Sequence, residues 1–149
     1  MARLVAEGAR VRVLDDCSSG RPDNLPPRVG LIVADVADPE AACRVAHGVE
    51  AMFHLAAIPS VARSGEDALR ARRVNAMGTV AILDAAARKI ATTDTPIPVV
   101  YASSAAVYGE NPNQPLTETA QLQPISTYGS ICSPVSNAQV VTKVHSIPP

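Results

Sequence analysis

The residues best suited to chemistry are a serine and a tyrosine. Ser103-Ser104-Ala105-Ala106-Val107-Tyr108-Gly109 leaves an apolar run, and Tyr128 follows about two dozen residues after Ser104. A tyrosine can take a proton from a bound alcohol while a serine hydrogen-bonds the same oxygen. Two acids sit at comparable places. Asp15 closes the run Val11 to Leu14, and Asp35 closes Leu31 to Ala34. In a nucleotide-binding βαβ unit an acid at the first position accepts hydrogen bonds from an adenosine ribose. Its charge also repels a 2′-phosphate. His54 lies in Phe53-His54-Leu55-Ala56-Ala57, where two alanines are small enough for a flat ring to approach the backbone. Each feature alone has a plainer reading: a turn aspartate, a loop-capping aspartate, core alanines, a structural histidine, a Ser-rich turn. Their common placement at the ends of successive apolar runs is what carries weight.

Those runs must be strands with helices between them. Met1 to Gly8 reads as the end of a helix, with Gly8 as its cap. Strands are predicted at Val11 to Leu14, Val29 to Val36, Glu50 to Ala57 and Pro98 to Ser104. Asp38 is placed to cap a helix from Pro39 to about His47, since proline is favoured in a first turn. Glu66 to Ile90 is the longest helical pattern, its apolar stripe being Leu69, Val74, Met77, Val80, Ala81 and Leu83. Cys17 to Pro27 and Asn111 to Pro124 read as loops, and a last helix begins near Thr127. Alternating helix and strand, with continuously apolar strands, predicts an α/β fold: a Rossmann-like, doubly wound parallel sheet.

The bulk composition agrees with a globular domain. The chain has 149 residues, 47% hydrophobic and 18% charged. A net charge of −1 gives no electrostatic basis for nucleic acid as a partner. No apolar run reaches the roughly 18 residues that span a bilayer, so no membrane partner is predicted. The three cysteines, Cys17, Cys43 and Cys132, are too scattered for a disulfide framework. They read as thiols in a reducing cytoplasm. His47, His54 and His145 have no metal-ligand spacing, so no metal is predicted.

At this point the motifs together resemble a family. VRVLDDCSSG (Val11 to Gly20), AMFHLAA (Ala51 to Ala57), Asn75-Ala76-Met77-Gly78-Thr79, SSAAVYGE (Ser103 to Glu110) and Ser126-Thr127-Tyr128-Gly129 are similar to segments of the NAD-dependent nucleotide-sugar epimerase/dehydratase family. These are extended short-chain dehydrogenases of the UDP-glucose 4-epimerase type. The resemblance covers roughly Met1 to Ser130. It implies NAD as cofactor and a nucleotide sugar as substrate. Asp15 would hold the adenosine ribose, with Ser18, Ser19 and Gly20 on the adenosine phosphate side. Asp35 and Val36 would flank the adenine, and Ala56 and Ala57 would line the cofactor cleft. Asn75 would support the site from its helix, Ser104 would assist the substrate hydroxyl, and Tyr128 would be the base. A homodimer is also implied, by analogy of fold.

The sequence departs from the family pattern in three ways. A strand followed by G-x-x-G-x-x-G, whose amides would meet the pyrophosphate, is not found in it. That strand is central in Rossmann order. The Leu14 and Phe53 strands are therefore expected either to pair directly or to leave backbone groups unpaired. Four residues after Tyr128 the family has lysine, where this chain has Cys132, and Lys143 is wrongly spaced. Without that ammonium Tyr128 is expected to be a weak base. Finally, resemblance stops near Ser130, which divides the chain into a partial NAD-binding domain, 1–130, and a divergent tail, 131–149, that should not continue a strong helix. The predicted function is a fragment of an epimerase/dehydratase, impaired as an isolated chain. A reductase or hydroxysteroid-type member of the superfamily, and a non-catalytic nucleotide-binding or remnant protein, stay open.

Overall fold

The computed structural model describes residues 1–58, 68–93 and 97–137. Four short strands alternate with helices, as the apolar runs predict. Strand β1 is Arg12–Asp15, β2 Gly30–Val33, β3 Met52–His54 and β4 Val99–Tyr101. β2, β3 and β4 are shorter than their apolar runs, and β1 is shifted one residue along its run. Helix α1 is Ala2–Ala6, and Gly8 follows it at φ +88°, a conformation open to glycine. Helix α2 is Pro39–Ala46, where the Asp38 carboxylate accepts from the Glu40 amide at 2.9 Å, the expected cap.

The long helix has a break that apolar spacing did not announce. It runs as α3, Ala68–Arg72, then a π-helical turn, Arg73–Met77, then α4, Gly78–Thr93. The predicted start at Glu66 lies outside the described residues. The π turn shifts the helical register, so the expected stripe divides. Val74, Ala81 and Leu83 face the core, while Leu69, Met77 and Val80 are exposed. Gly78 begins α4 against Val36. A Cβ there would lie 2.6 Å from Val36 Cγ1, so only glycine permits this approach.

All strand pairing is parallel, but it forms two ladders. β1 pairs with β2, Leu14 opposite Ile32, and β3 pairs with β4, Phe53 opposite Val100. The first of the two expected outcomes does not hold: among the described residues the Leu14 strand and the Phe53 strand do not pair with each other. One core nevertheless joins the ladders. Ala42, Val45 and Ala46 of α2, Ala81, Ile82, Ala85 and Ala86 of α4, and Met52 and Val99 are buried together, with Leu14 and Ile32 packed against them. The Arg12 guanidinium ties β1 to the end of α2, donating to the Arg44 and His47 carbonyls at 2.9 and 3.0 Å. Cations suit a helix C-terminus. The opposite face of β3 and β4 presents Phe53 and Val100 to solvent.

After β4 a 3₁₀ turn, Ala105–Tyr108, leads to a loop and then to α5, Thr127–Asn137. The change of composition after Ser130 does not end this helix, contrary to expectation. Residues 138–149, including Lys143, lie outside the described residues. None of the described helices is long and apolar enough to cross a membrane.

Candidate functional site

The carboxyl ends of β1 and β2 collect the acids. Asp15 Oδ1 accepts the Cys17 amide at 2.7 Å, and Asp16 Oδ1 accepts the Ser18 amide at 3.0 Å. The Ser18 hydrogen bonds hold the Asp16 carboxyl below its usual range. These contacts fold the loop tightly, with Cys17 at φ +56°. Ser18, Ser19 and Gly20 are exposed, and a Cβ on Gly20 would come within 3.8 Å of both Asp15 carboxylate oxygens.

Asp35 is committed on both oxygens. Oδ1 accepts the Ala37 amide at 2.8 Å and Oδ2 meets Arg73 Nε at 3.0 Å. Arg70 Nη2 stands 3.9 Å from Asp16 Oδ2. Helix α3 and its π turn thus lie across the ends of β1 and β2. Val36 is buried against Gly78. Its side chain belongs to the core, so only its backbone is available to an adenine.

The second ladder ends in a crevice. His54, Ala56, Ala57, Asn75, Tyr101, Ala102, Tyr128 and Cys132 line it. Asn75, buried in the π turn, clamps the strand exit: Oδ1 accepts the Ile58 amide at 2.8 Å and Nδ2 donates to the Ile58 carbonyl at 3.3 Å. The Asn75 carbonyl accepts the Thr79 hydroxyl at 2.7 Å, and His54 Nε2 meets that hydroxyl oxygen at 2.9 Å. The Asn-x-x-Gly-Thr spacing therefore has a physical basis. Asparagine and threonine are one helical turn apart, and glycine between them admits Val36. Thr79 and His54 were the residues least emphasised by sequence reasoning, since a lone histidine gives no sign of its partner.

Ser104 caps the 3₁₀ turn, accepting the Ala106 amide at 3.2 Å. Its hydroxyl also hydrogen-bonds the Tyr128 phenol, which lowers the phenol's pKa. Burial has the larger effect, and contact with Cys132 adds to it, so Tyr128 ends above its usual value of 10.0. Cys132 is pushed up by its own burial. The phenol is thus protonated at neutral pH, in the direction expected for a chain with cysteine where an ammonium would help. Among the described residues no cluster could hold a metal ion.

The structure brings Ala56, Ala57, Asn75 and Tyr128 around one crevice, with Ser104 hydrogen-bonded to Tyr128. It gathers Asp15, Ser18, Ser19, Gly20 and Asp35 at the ends of the other ladder. The profile of the NAD-dependent epimerase/dehydratase family matches residues 1–132, and the chain belongs to that family. Over 138 residues it is 36% identical to the UDP-glucose 4-epimerase of Mycolicibacterium smegmatis, which covers 86% of this chain and 42% of that enzyme. The solved UDP-glucose 4-epimerase of Thermotoga maritima with UDP-glucose matches with a TM-score of 0.79 and 30% identity, over 88% of this chain and 42% of that one. The Thermus thermophilus UDP-glucose 4-epimerase in complex with NAD gives 0.77 and 29%, over 89% and 42%. The fold is thus the Rossmann fold of these epimerases, of which the described strands form a part. The chain spans about two fifths of the length of these relatives.

Proposed function

We propose that this chain carries the NAD-binding part of a nucleotide-sugar epimerase or dehydratase. The observation that carries the reading is the Ser104–Tyr128 hydrogen bond beside Asn75 in one crevice. The adenosine end fits as well: Asp15 keeps one carboxylate oxygen for a ribose after binding the Cys17 amide. Asp15, Ser18, Ser19 and Gly20 would hold the ribose side. Asp35 and the Val36 backbone would flank the adenine, while Ala56 and Ala57 would admit the nicotinamide. The chemistry that bound NAD supplies is hydride removal and return. The protein's share is to orient the sugar hydroxyl between Ser104 and Tyr128 and to accept its proton at the Tyr128 oxygen. The exposed apolar side chains Leu69, Met77 and Val80, on α3, the π turn and α4, support a homodimer through this helix. That no disulfide joins Cys17, Cys43 and Cys132 supports a cytoplasmic setting.

A second reading, a nucleotide-binding module without turnover, is favoured by one observation. Cys132 stands one turn beyond Tyr128 and the phenol is held above its usual pKa. Calorimetric titration with NAD, followed by a UDP-glucose epimerisation assay, separates the two. Affinity with turnover supports the enzyme, affinity alone the module, and no NAD affinity overturns both.

A further inference from the structure

The proton-handling pair sits on two different elements, and something must set their separation. Tyr128 lies in the first turn of α5, and Ser104 caps the 3₁₀ turn after β4. The contact between these elements runs through the residue following the tyrosine. Gly129 is buried, and a Cβ built on it would lie 2.4 Å from the Ala106 carbonyl oxygen and 3.1 Å from Pro124 Cβ. The first of these distances is to backbone, which cannot swing aside as a long side chain could. Ala106 is held on both sides: its amide donates to Ser104 Oγ at 3.2 Å, and the next amide, that of Val107, donates to the Ser104 carbonyl at 3.2 Å. The Gly129 amide is fixed too, donating to Ser126 Oγ at 3.0 Å as the helix cap. One residue, Ala106, thus touches the serine through its amide nitrogen and the tyrosine's helix through its carbonyl oxygen.

We infer that Gly129 is a positioning residue: its bare Cα lets α5 rest on the Ala106 carbonyl, and this contact sets the Tyr128 phenol within hydrogen-bonding reach of Ser104. A methyl group at position 129 needs at least several tenths of an ångström more room. The direction of relief is α5 moving off the 3₁₀ turn, which stretches the serine–tyrosine bond. Gly129 has no φ-angle requirement behind it, since it lies within a right-handed helix. Its role is the close approach alone.

The inference rests on Tyr128 being the proton acceptor, but its test needs neither cofactor nor sugar. The Tyr128 ring would be followed by 13Cζ-tyrosine NMR against pH in the full chain, its signal assigned by loss in Tyr128→Phe. Ser104→Ala should raise the Tyr128 midpoint by about one pH unit, the size of a charge-assisted hydrogen bond. Gly129→Ala should raise it similarly, and the double variant should rise no further than either single one. An unchanged midpoint in Gly129→Ala, or fully additive shifts, would overturn the inference. Should Gly129→Ala not fold, the unaltered chain decides: a weak nuclear Overhauser contact between Gly129 Hα and the Val107 amide is expected, and its absence would overturn the inference. Either failure leaves the NAD reading standing, because NAD affinity is measured independently.

Discussion

His54 Nε2 lies 2.9 Å from the Thr79 hydroxyl oxygen, and that hydroxyl gives its single proton to the Asn75 carbonyl 2.7 Å away. The imidazole must therefore be the donor, so the neutral ring carries its proton on Nε2. Burial pushes the His54 pKa below 6.5. A folded-state pKa below the unfolded one means that the unfolded chain binds the proton first. Stability is then complete above pH 6.5 and falls as pH drops from 6.5 toward the lower folded value. Thermal melts between pH 8 and 5 should show this fall, and His54→Gln should flatten it. Thr79→Val strands the imidazole donor and should cost about 1–3 kcal/mol.

Gly78 and Val36 form a matched pair. With 2.6 Å between a Cβ at 78 and Val36 Cγ1, Gly78→Ala should destabilise the fold by about 1–3 kcal/mol, the usual range for overpacking. Val36→Ala in the same chain should return part of that loss. Urea denaturation of the four variants measures the coupling. Additive effects would show that the helix shifts freely instead.

Cys132→Lys places an ammonium one helical turn from the phenol. The change removes a contact that raises the Tyr128 pKa and adds a charge that lowers it. The Tyr128 midpoint should fall below 10.0. Absorbance or 13C titration reads this directly. A midpoint that stays above the usual value would mean that burial outweighs the new charge.

Asp15→Asn keeps an oxygen for the Cys17 amide while removing the negative charge. Under the proposed function NAD affinity should drop roughly ten- to a hundredfold, about 1.5–3 kcal/mol. Discrimination against NADP should shrink as well, because the repulsion of a 2′-phosphate is gone. Calorimetry with both nucleotides tests this. Equal affinity for NAD in the two chains would remove Asp15 from the ribose site.

Much of the fold was legible because its signals are local. Strand runs, the Asp38 cap with Pro39, and the Gly8 turn depend on residues close in sequence, and all three stand in the structure. The residues that gather at the two ladder ends could be picked out because motif order does not depend on their contacts. What was hidden depends on contacts between distant segments. Nothing in Arg73–Met77 announces a π turn, and so Leu69, Met77 and Val80 were assigned to the buried stripe although they are exposed. The ion pair from Arg73 to Asp35 and the histidine's threonine partner are equally invisible in a linear reading. The close approach of Gly129 to Ala106 shows the same limit, since a glycine does not reveal what it makes room for.

Among the described residues, the two parallel ladders share helices α2 and α4 but no strand-to-strand hydrogen bonds. The acids at the end of one and the serine–tyrosine pair at the end of the other are thus joined through side-chain packing, which yields more easily than a continuous sheet. A dinucleotide long enough to touch both ends would act as a cross-brace between two half-independent plates. Its binding would stiffen the whole domain, and amide exchange in α2 and in the body of α4, beyond the crevice-lining Thr79, would slow most.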